Sequence, residues 1–316
     1  MNIILNYRHK NERLEESLQA IGCSVVYNVW DIDQINEIGA YAVIFEFKQI
    51  LKEEFRFLRL SYKLKRAAIP IVTWCLDLPN IGARQWKLSL LLKTRLIDIF
   101  ATHSLQGLQN MPGIKSTLLY LPNAAWTSRY NLGNVSMEDL RDTGRYNVDV
   151  SFLGNIDSRK HPEHRHRAEF LNALSASLQQ KNIIHRFEDS RYIDFKSQIE
   201  LIQKSRININ FGCAADRPEN SSWGLPERCY GIPACGGFLL SDDRVHARDD
   251  FAEGDEIVMF GDLLDCLQKI IYYRERHDER RRIAENAFNR INKEHTYVHR
   301  AKKLMAAINE FHGAKA

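Results

Sequence analysis

The chain has 316 residues, with 44 lysines and arginines against 40 aspartates and glutamates, a net charge of +4 and a hydrophobic content of 44%. That length can bury two ordinary cores, and no apolar run approaches the ~20 residues of a membrane span, so a two-domain protein without a spanning helix is expected. The six cysteines (Cys23, Cys75, Cys213, Cys229, Cys235, Cys266) are scattered with no C-x-x-C pair, which fits reduced thiols better than disulfides or zinc.

Asn2–Asn6 (NIILN) reads as a short strand, and the charge that follows it in MNIILNYRHKNERLEE is no signal-peptide pattern, so a cytoplasmic location is expected. Glu12–Ala20 is an amphipathic helix closed by Gly22. Strands follow at Ser24–Tyr27 and Tyr41–Phe45. Leu51–Ala67 reads as a helix. Ile69–Cys75, Ile97–Ala101 and Ser116–Leu121 are further strands. Apolar strands alternating with helices indicate a parallel sheet covered on both faces, a Rossmann-like domain.

Asn131–Asn147 is polar and poor in large apolar residues, and the inter-domain linker is placed there, giving domains over 1–140 and 141–296. Val148–Leu153 opens a second strand–helix series. Arg165–Gln180, Phe195–Lys204, Leu263–Tyr273 and Glu279–Asn292 read as helices. Ile183–Phe187, Arg206–Phe211, Phe238–Leu240 and Glu256–Met259 read as strands. A last helix covers Tyr297–Phe311.

The most informative stretch is Arg206–Leu240. Ile207, Ile209 and Phe211 alternate with Asn208 and Asn210, which marks a strand. A polar loop leads into a short helix, with Ser221 or Ser222 as its N-cap and Pro226 in its first turn. Open α/β sheets bind ligands where strands end and helices begin, and a helix start favours phosphate. Arg217 and Arg228 flank that point and can clamp a diphosphate.

Gly224–Asp243 (GLPERCYGIPACGGFLLSDD), the turn Phe251–Phe260 and Tyr272–Leu304 resemble the C-terminal half of the spore-maturation, CgeB-like glycosyltransferases. The family pattern is an arginine, an alanine–cysteine–glycine step, and later histidine–threonine–tyrosine with an arginine after it. Arg228, Ala234-Cys235-Gly236, His295, Thr296, Tyr297 and Arg300 supply it. The resemblance implies an α/β GT-B fold. Two Rossmann-like domains would face each other across a cleft, with the C-terminal helix, 297–316, packing back on the first. It also implies donor contacts in the loop after Val148–Leu153. The family glutamate three residues after the arginine, implied to hold the donor ribose, is replaced by Gly231. Glu227 is then the substitute, or the clamp is altered.

Donor-binding candidates fall in three loops. The first holds Gly154, Asn155, Arg159 and Lys160, where the glycine admits close backbone approach and the cations meet a diphosphate; a tight surface turn is the alternative. The second ends at Tyr192, suited to stacking on a nucleobase. The third holds Arg217, Asn220, Ser221, Ser222, Trp223, Gly224, Leu225, Glu227 and Arg228. Catalytic candidates are Asp77, His103 and Glu46, each where a first-domain strand meets its loop. Asp77, between Leu76 and Leu78, is the first choice for a base, since partial desolvation raises a carboxyl pKa; His103 suits neutral-pH proton transfer. Each also reads as a cap or a hydrogen-bonded structural residue.

No metal and no cofactor are expected. His161, His164 and His166 are interleaved with arginines that repel a divalent ion, and Asp31-Ile32-Asp33 reads as a cap. Residues 48–95 carry eleven Lys/Arg against Glu53, Glu54 and Asp77, a local +8. That is a solvated face, or a patch for an anionic acceptor or an anionic membrane surface; no nucleic-acid motif accompanies it. The expected activity is metal-independent transfer of a sugar from a nucleotide-diphosphate sugar (UDP-, GDP- or dTDP-linked) to a hydroxyl of a sugar, lipid-linked or protein acceptor. The alternatives are a nucleotide-sugar 2-epimerase of the same fold and a non-catalytic glycosyltransferase-like binding protein.

Overall fold

The computed structural model describes residues 1–76, 84–105, 108, 111–159, 164–212 and 224–314, with backbone alone at 84 and 85. They form two units, Met1–Pro122 with Tyr297–Ala316, and Asn123–Thr296.

In the first unit six strands pair in parallel: β1 (Asn2–Asn6), β2 (Ser24–Tyr27), β3 (Ala40–Phe45), β4 (Ile71–Cys75), β5 (Ile99–Thr102) and β6 (Thr117–Tyr120). Their order is β2-β1-β3-β4-β5-β6. All five β4 side chains are buried, as a sheet covered on both faces requires. Helix α1 (Glu12–Gln19) starts where the Asn11 side chain accepts from Leu14 N, and it buries Leu14 and Leu18, one turn apart. Two helices were not foreseen. In α2 (Ile32–Ile38), Asp31 accepts from the backbone N–H of Asp33 and Gln34, and Gly39 closes the helix at φ +63°. In α5 (Arg84–Lys93), Leu88, Leu91 and Leu92 are buried while Trp86 and Leu90 are exposed, so no one-sided apolar pattern marked it. The single helix expected over Leu51–Ala67 is two, α3 (Phe47–Lys52) and α4 (Glu54–Arg66), because Glu53 between them leaves helical geometry at φ −108°, ψ 38°.

The last helix, which takes the label α12 (Tyr297–Gly313), belongs to this unit and packs on α1 and β5. Leu304 and Ile308 are fully buried, each worth roughly 1.5–3 kcal/mol. Arg300 Nε donates to Pro122 O at 3.1 Å, and the His312 ring stacks 4.2 Å from Tyr41.

The second unit holds β7 (Val148–Leu153), α6 (Arg165–Gln180), β8 (His185–Glu188), α7 (Phe195–Lys204), β9 (Ser205–Asn210), α8 (Arg228–Ala234), β10 (Leu239–Asp242), α9 (Ala247–Asp250), β11 (Val258–Phe260), α10 (Leu263–Arg274) and α11 (His277–Glu294). Its sheet is also parallel, in the order β11-β10-β9-β7-β8. Asn208 and Asn210, which alternate with the isoleucines of β9, do not face water. They are 2% and 0% exposed, since both faces of β9 are covered.

The chain divides after Pro122, not within the linker expected at Asn131–Asn147. That segment is polar, yet its groups are used within the second unit. Gln203 Nε2 donates to Leu132 O at 3.1 Å, and Arg141 grips Glu285 with two bonds of 2.8 Å; just before the segment, Tyr130 OH donates to Gln198 Oε1 at 2.7 Å. Leu132, Met137 and Leu140 crowd Gly236, where a Cβ would lie 2.4 Å from Leu140 Cδ1 and φ is +77°. Only glycine fits there.

Candidate nucleotide site

In each sheet the strand order reverses once, and ligands of open α/β sheets bind at that reversal, beyond the carboxyl ends. In the second unit it lies between β7 and β9. Two arginines bridge it. Arg228, from α8, donates from Nη1 to Leu153 O (3.1 Å), from Nη2 to Phe211 O (3.4 Å) and from Nε to Asn210 Oδ1 (2.5 Å). Arg167, from α6, donates from Nε to Phe211 O (3.1 Å) and Gly212 O (3.0 Å), and from Nη1 to Asn155 O (2.9 Å). Both guanidinium groups lie over the Phe152 ring, at 5.1 and 5.8 Å, a contact that favours a desolvated cation. Two fixed positive charges thus stand at the crevice. Beside them Asn155 Oδ1 is buried with no hydrogen-bond partner among the described residues.

A polar chain supports Arg228 from below. Asn210 Nδ2 donates to Ser241 Oγ (2.9 Å) and to Asp242 Oδ1 (2.8 Å). Asp242 accepts from Gly212 N (2.9 Å) and pairs with the buried Arg244 at 2.9 Å, whose Nη1 donates to Gly224 O (2.8 Å). The network ties the ends of β9 and β10 to the entry of α8, fixing the orientation of the arginine.

Next to this floor, Ile156, Asp157, Ser158, Arg159, Asn172 and Tyr192 line an open cavity of ≈ 450 Å³. Asp189 holds its loops together, accepting from Ile156 N (3.2 Å) and from Arg191 (2.9 and 2.8 Å). The Arg191 guanidinium keeps the Asp189 carboxyl well below the usual carboxylate range. Tyr192 closes the turn after β8 and is 72% exposed, its ring 5.3 Å from the Arg191 guanidinium.

The structure brings Gly154, Asn155, Arg159, Tyr192 and Arg228 to one end of one sheet. Lys160, Arg217, Asn220, Ser221, Ser222 and Trp223 lie outside the described residues. Several expectations change. Helix α8 starts at Arg228 with Glu227 at the cap position, making no side-chain cap bond, and Pro226 precedes it rather than sitting in its first turn. Gly154 makes room for the arginine: a Cβ would lie 2.1 Å from Arg228 Nη1 and 2.9 Å from Phe152 Cζ. Leu225 puts its side chain into the core at 1% exposure, and its carbonyl accepts from Asn123 Nδ2 at 3.0 Å. Gly231 is buried in α8 with its Cβ position 3.4 Å from the Tyr130 ring, so a longer side chain would meet that tyrosine. Burial pushes the Tyr130 phenol up to about 12. Sequence reasoning missed Arg167, Asn210, Asp242 and Arg244; the one available signal was an asparagine inside an otherwise apolar strand.

In the first unit the reversal lies between β1 and β3. Glu46 follows β3, and its Oε2 accepts from Arg8 N at 3.2 Å. His103 follows β5, is 7% exposed, and its backbone N–H donates to Cys75 O at 3.4 Å. Strand β4 lies between β3 and β5; Asp77 is outside the described residues. Asp31 is a cap, as its spacing implied. His166 packs its ring 5.3 Å from Phe211, and His161 is outside the described residues. Among the described residues no three His, Cys, Asp or Glu side chains group as metal ligands, and no helix is long and apolar enough to cross a membrane.

The fold is that of the GT-B glycosyltransferases. The chain superposes on sucrose-phosphate synthase from Thermosynechococcus elongatus with a TM-score of 0.65 and 10% identity, covering 99% of this chain and 100% of that one. A glycosyltransferase from Rickettsia africae gives 0.61 and 13% identity, with 98% of both chains covered. Anabaena HepE, solved with UDP and glucose, gives 0.61 and 10% identity, covering 98% of this chain and 100% of that one. No curated protein matches the sequence. The family model described as "Glycosyl transferase-like" matches residues 137–306. That match runs from the strap before β7, through the arginine-bridged crevice, to the middle of α12, more than half of the sequence, and the chain therefore belongs to the glycosyl transferase-like family.

Proposed function

We propose that the protein transfers a sugar from a nucleotide-diphosphate sugar to a hydroxyl-bearing acceptor, as a cytoplasmic member of the CgeB-like branch of its family. The observation that carries this reading is the pair of arginines, Arg228 and Arg167, bridging the carboxyl ends of β7 and β9. Two preorganised cations over an apolar ring offset the charge of a leaving diphosphate without a metal ion. Asn155 Oδ1 supplies an acceptor for a donor-ligand hydroxyl or N–H. Tyr192 and the ≈ 450 Å³ cavity take the nucleobase. Anabaena HepE has been solved with UDP-glucose, so that donor is the first to test. The five described cysteines are buried free thiols, as a reducing compartment allows.

In the reaction the acceptor oxygen bonds to the anomeric carbon as the bond to the diphosphate oxygen breaks, and the electron pair leaves with the diphosphate. If configuration inverts, the acceptor proton passes to a base drawn from Asp77, His103 and Glu46. The acceptor is presented at an anionic membrane surface. Phe55, Leu58 and Tyr62 are 90%, 44% and 64% exposed on one face of α4, with the exposed Arg59 and Arg66 between and beyond them. Trp86 and Leu90 of α5 are 61% and 51% exposed, and the Lys87–Glu54 ion pair ties the two helices together. Aromatic and basic side chains in one face suit a headgroup layer.

The test is a thermal-shift screen with UDP, GDP, dTDP, CDP and ADP, with and without magnesium, followed by release of UDP from UDP-glucose. One nucleotide standing out without magnesium supports the reading. No shift and no turnover with any of them contradicts it.

A further inference from the structure

At the opposite end of the second sheet, where its strands begin, the protein buries an excess of positive charge that the nucleotide site does not use. Arg280 and Arg281, in the first turns of α11, are 2% and 6% exposed. They meet Arg206 from β9 and the Gly236-Gly237 backbone around a small cavity, ≈ 10 Å³ for the centre of a water-sized sphere. Arg281 Nη1 donates to Gly236 O at 2.8 Å, but its Nε and Nη2 are buried with no hydrogen-bond partner among the described residues. Arg280 gives its donors to Arg274 O (2.7 Å), to Tyr273 O and to the His277 ring at 3.5 Å, all uncharged partners.

The nearby carboxylates do not balance these charges. Asp149 is shared, lying 3.2 Å from Arg206 Nε and 3.2 Å from Arg274 Nε, and its other oxygen accepts from Ile184 N. Glu285, near Arg281, is held by Arg141 through two bonds of 2.8 Å. Arg206 and Arg274 therefore share the buried Asp149, Arg274 also lying 3.8 Å from the exposed Glu275, while neither Arg280 nor Arg281 forms an ion pair among the described residues. Burial, with the charge of Arg206 next, pulls the Arg280 guanidinium down to about 10, a mark of the same uncompensated charge. A buried cation without a counter-charge costs several kcal/mol, and the protein keeps these on rigid elements.

We propose that this cavity binds a small inorganic anion between Arg281, Arg280 and Arg206, with the unpartnered Nε and Nη2 of Arg281 as its donors. The space admits one sphere of roughly water size, which fits a halide such as chloride; a tetrahedral oxyanion needs the side chains to part. The ligand joins α11 to the start of β9 and the glycine step before β10, so its binding stabilises the second unit.

The experiment follows thermal unfolding of the full chain in chloride, bromide, phosphate and the bulky anion gluconate, at constant ionic strength and pH. At ten times its dissociation constant a native-state ligand shifts the folding ratio roughly elevenfold, about 3–6 °C for a unit of this size. The expected result is a saturable rise with chloride and bromide over gluconate, absent in Arg281→Met. A rise with phosphate alone would reassign the ligand to an oxyanion and overturn the halide assignment. Crystals of the unaltered protein grown in sodium bromide give a second readout that does not depend on the variant folding. An anomalous peak within hydrogen-bonding reach of Arg281 Nε and Nη2 is expected. No anion-specific shift together with no peak there would overturn the proposal.

Discussion

Replacing Arg228 by glutamine tests whether the crevice floor is built as described. The guanidinium makes two good bonds, to Asn210 Oδ1 at 2.5 Å and Leu153 O at 3.1 Å, and a longer one to Phe211 O at 3.4 Å, over the Phe152 ring. Hydrogen bonds from a charged donor are worth about 1.5–3 kcal/mol each, and a cation over a ring adds ~0.5–1 kcal/mol. The site is only partly buried, and glutamine can remake one bond, so a loss of about 2–4 kcal/mol is expected. Urea denaturation followed by circular dichroism and tryptophan fluorescence reads it. The neighbouring glycine supplies an internal check. Gly154→Ala puts a Cβ 2.1 Å from Arg228 Nη1 and is expected to cost about 1–3 kcal/mol by overpacking. In the double variant the obstructing guanidinium is gone, so the two losses should fall short of additive by more than ~0.5 kcal/mol. An Arg228→Gln loss below ~0.5 kcal/mol, or strict additivity with Gly154→Ala, would refute the reasoning.

Other outcomes follow from single contacts. Tyr230 OH donates at 2.5 Å to Asp250 Oδ2, and both residues are buried, so Tyr230→Phe should lower unfolding free energy by about 1.5–3 kcal/mol; an unchanged urea midpoint would contradict it. Asp189 has its native pKa lowered from 3.8 by Arg191. Its contribution is therefore full above pH ~4 and is lost as pH falls toward the lowered native value. The stability gap between wild type and Asp189→Asn should be widest at neutral pH and close below pH ~4, and a gap constant from pH 7 to 3 would rule this out. Tyr192→Ala should weaken nucleotide binding by roughly 5- to 150-fold if the ring stacks on the base, with no effect on stability in the absence of nucleotide. Phe55→Ser with Trp86→Ser should abolish co-sedimentation with anionic vesicles that persists in high salt; loss of wild-type binding at high salt would leave only charge at work.

The alternation of apolar strands and helices carried both sheets into view, and α6 and α7 stand where their 3.6-residue patterns put them. Elements without a one-sided pattern did not announce themselves: α5 has leucines on both its buried and exposed faces. Nor did polarity locate the division of the chain, because the groups of 131–147 find their partners on distant segments such as Gln203 and Glu285. Arg228 stood out in sequence, but its contacts with Leu153 and Phe211 depend on sheet order, so its part in the crevice floor was not legible and a helix-start phosphate site was inferred instead. Arg167 sat in a run of basic residues with nothing to single it out. Its burial comes from bonds to the backbone just beyond the carboxyl ends of β9 and β7, which sequence order does not show. Asn210 was read for its spacing alone; that a polar side chain filled a buried position of β9 was the stronger signal.

The central claim is that the arginine-bridged end of the second sheet binds a nucleoside diphosphate. Isothermal titration calorimetry with UDP, and with GDP and dTDP in parallel, tests it most directly on wild type, Arg228→Gln and His103→Gln. The account predicts one site per chain for one of these nucleotides without magnesium, weakened at least tenfold by Arg228→Gln and unchanged by His103→Gln. Binding unaffected by Arg228→Gln, or no heat with any nucleotide, would contradict it.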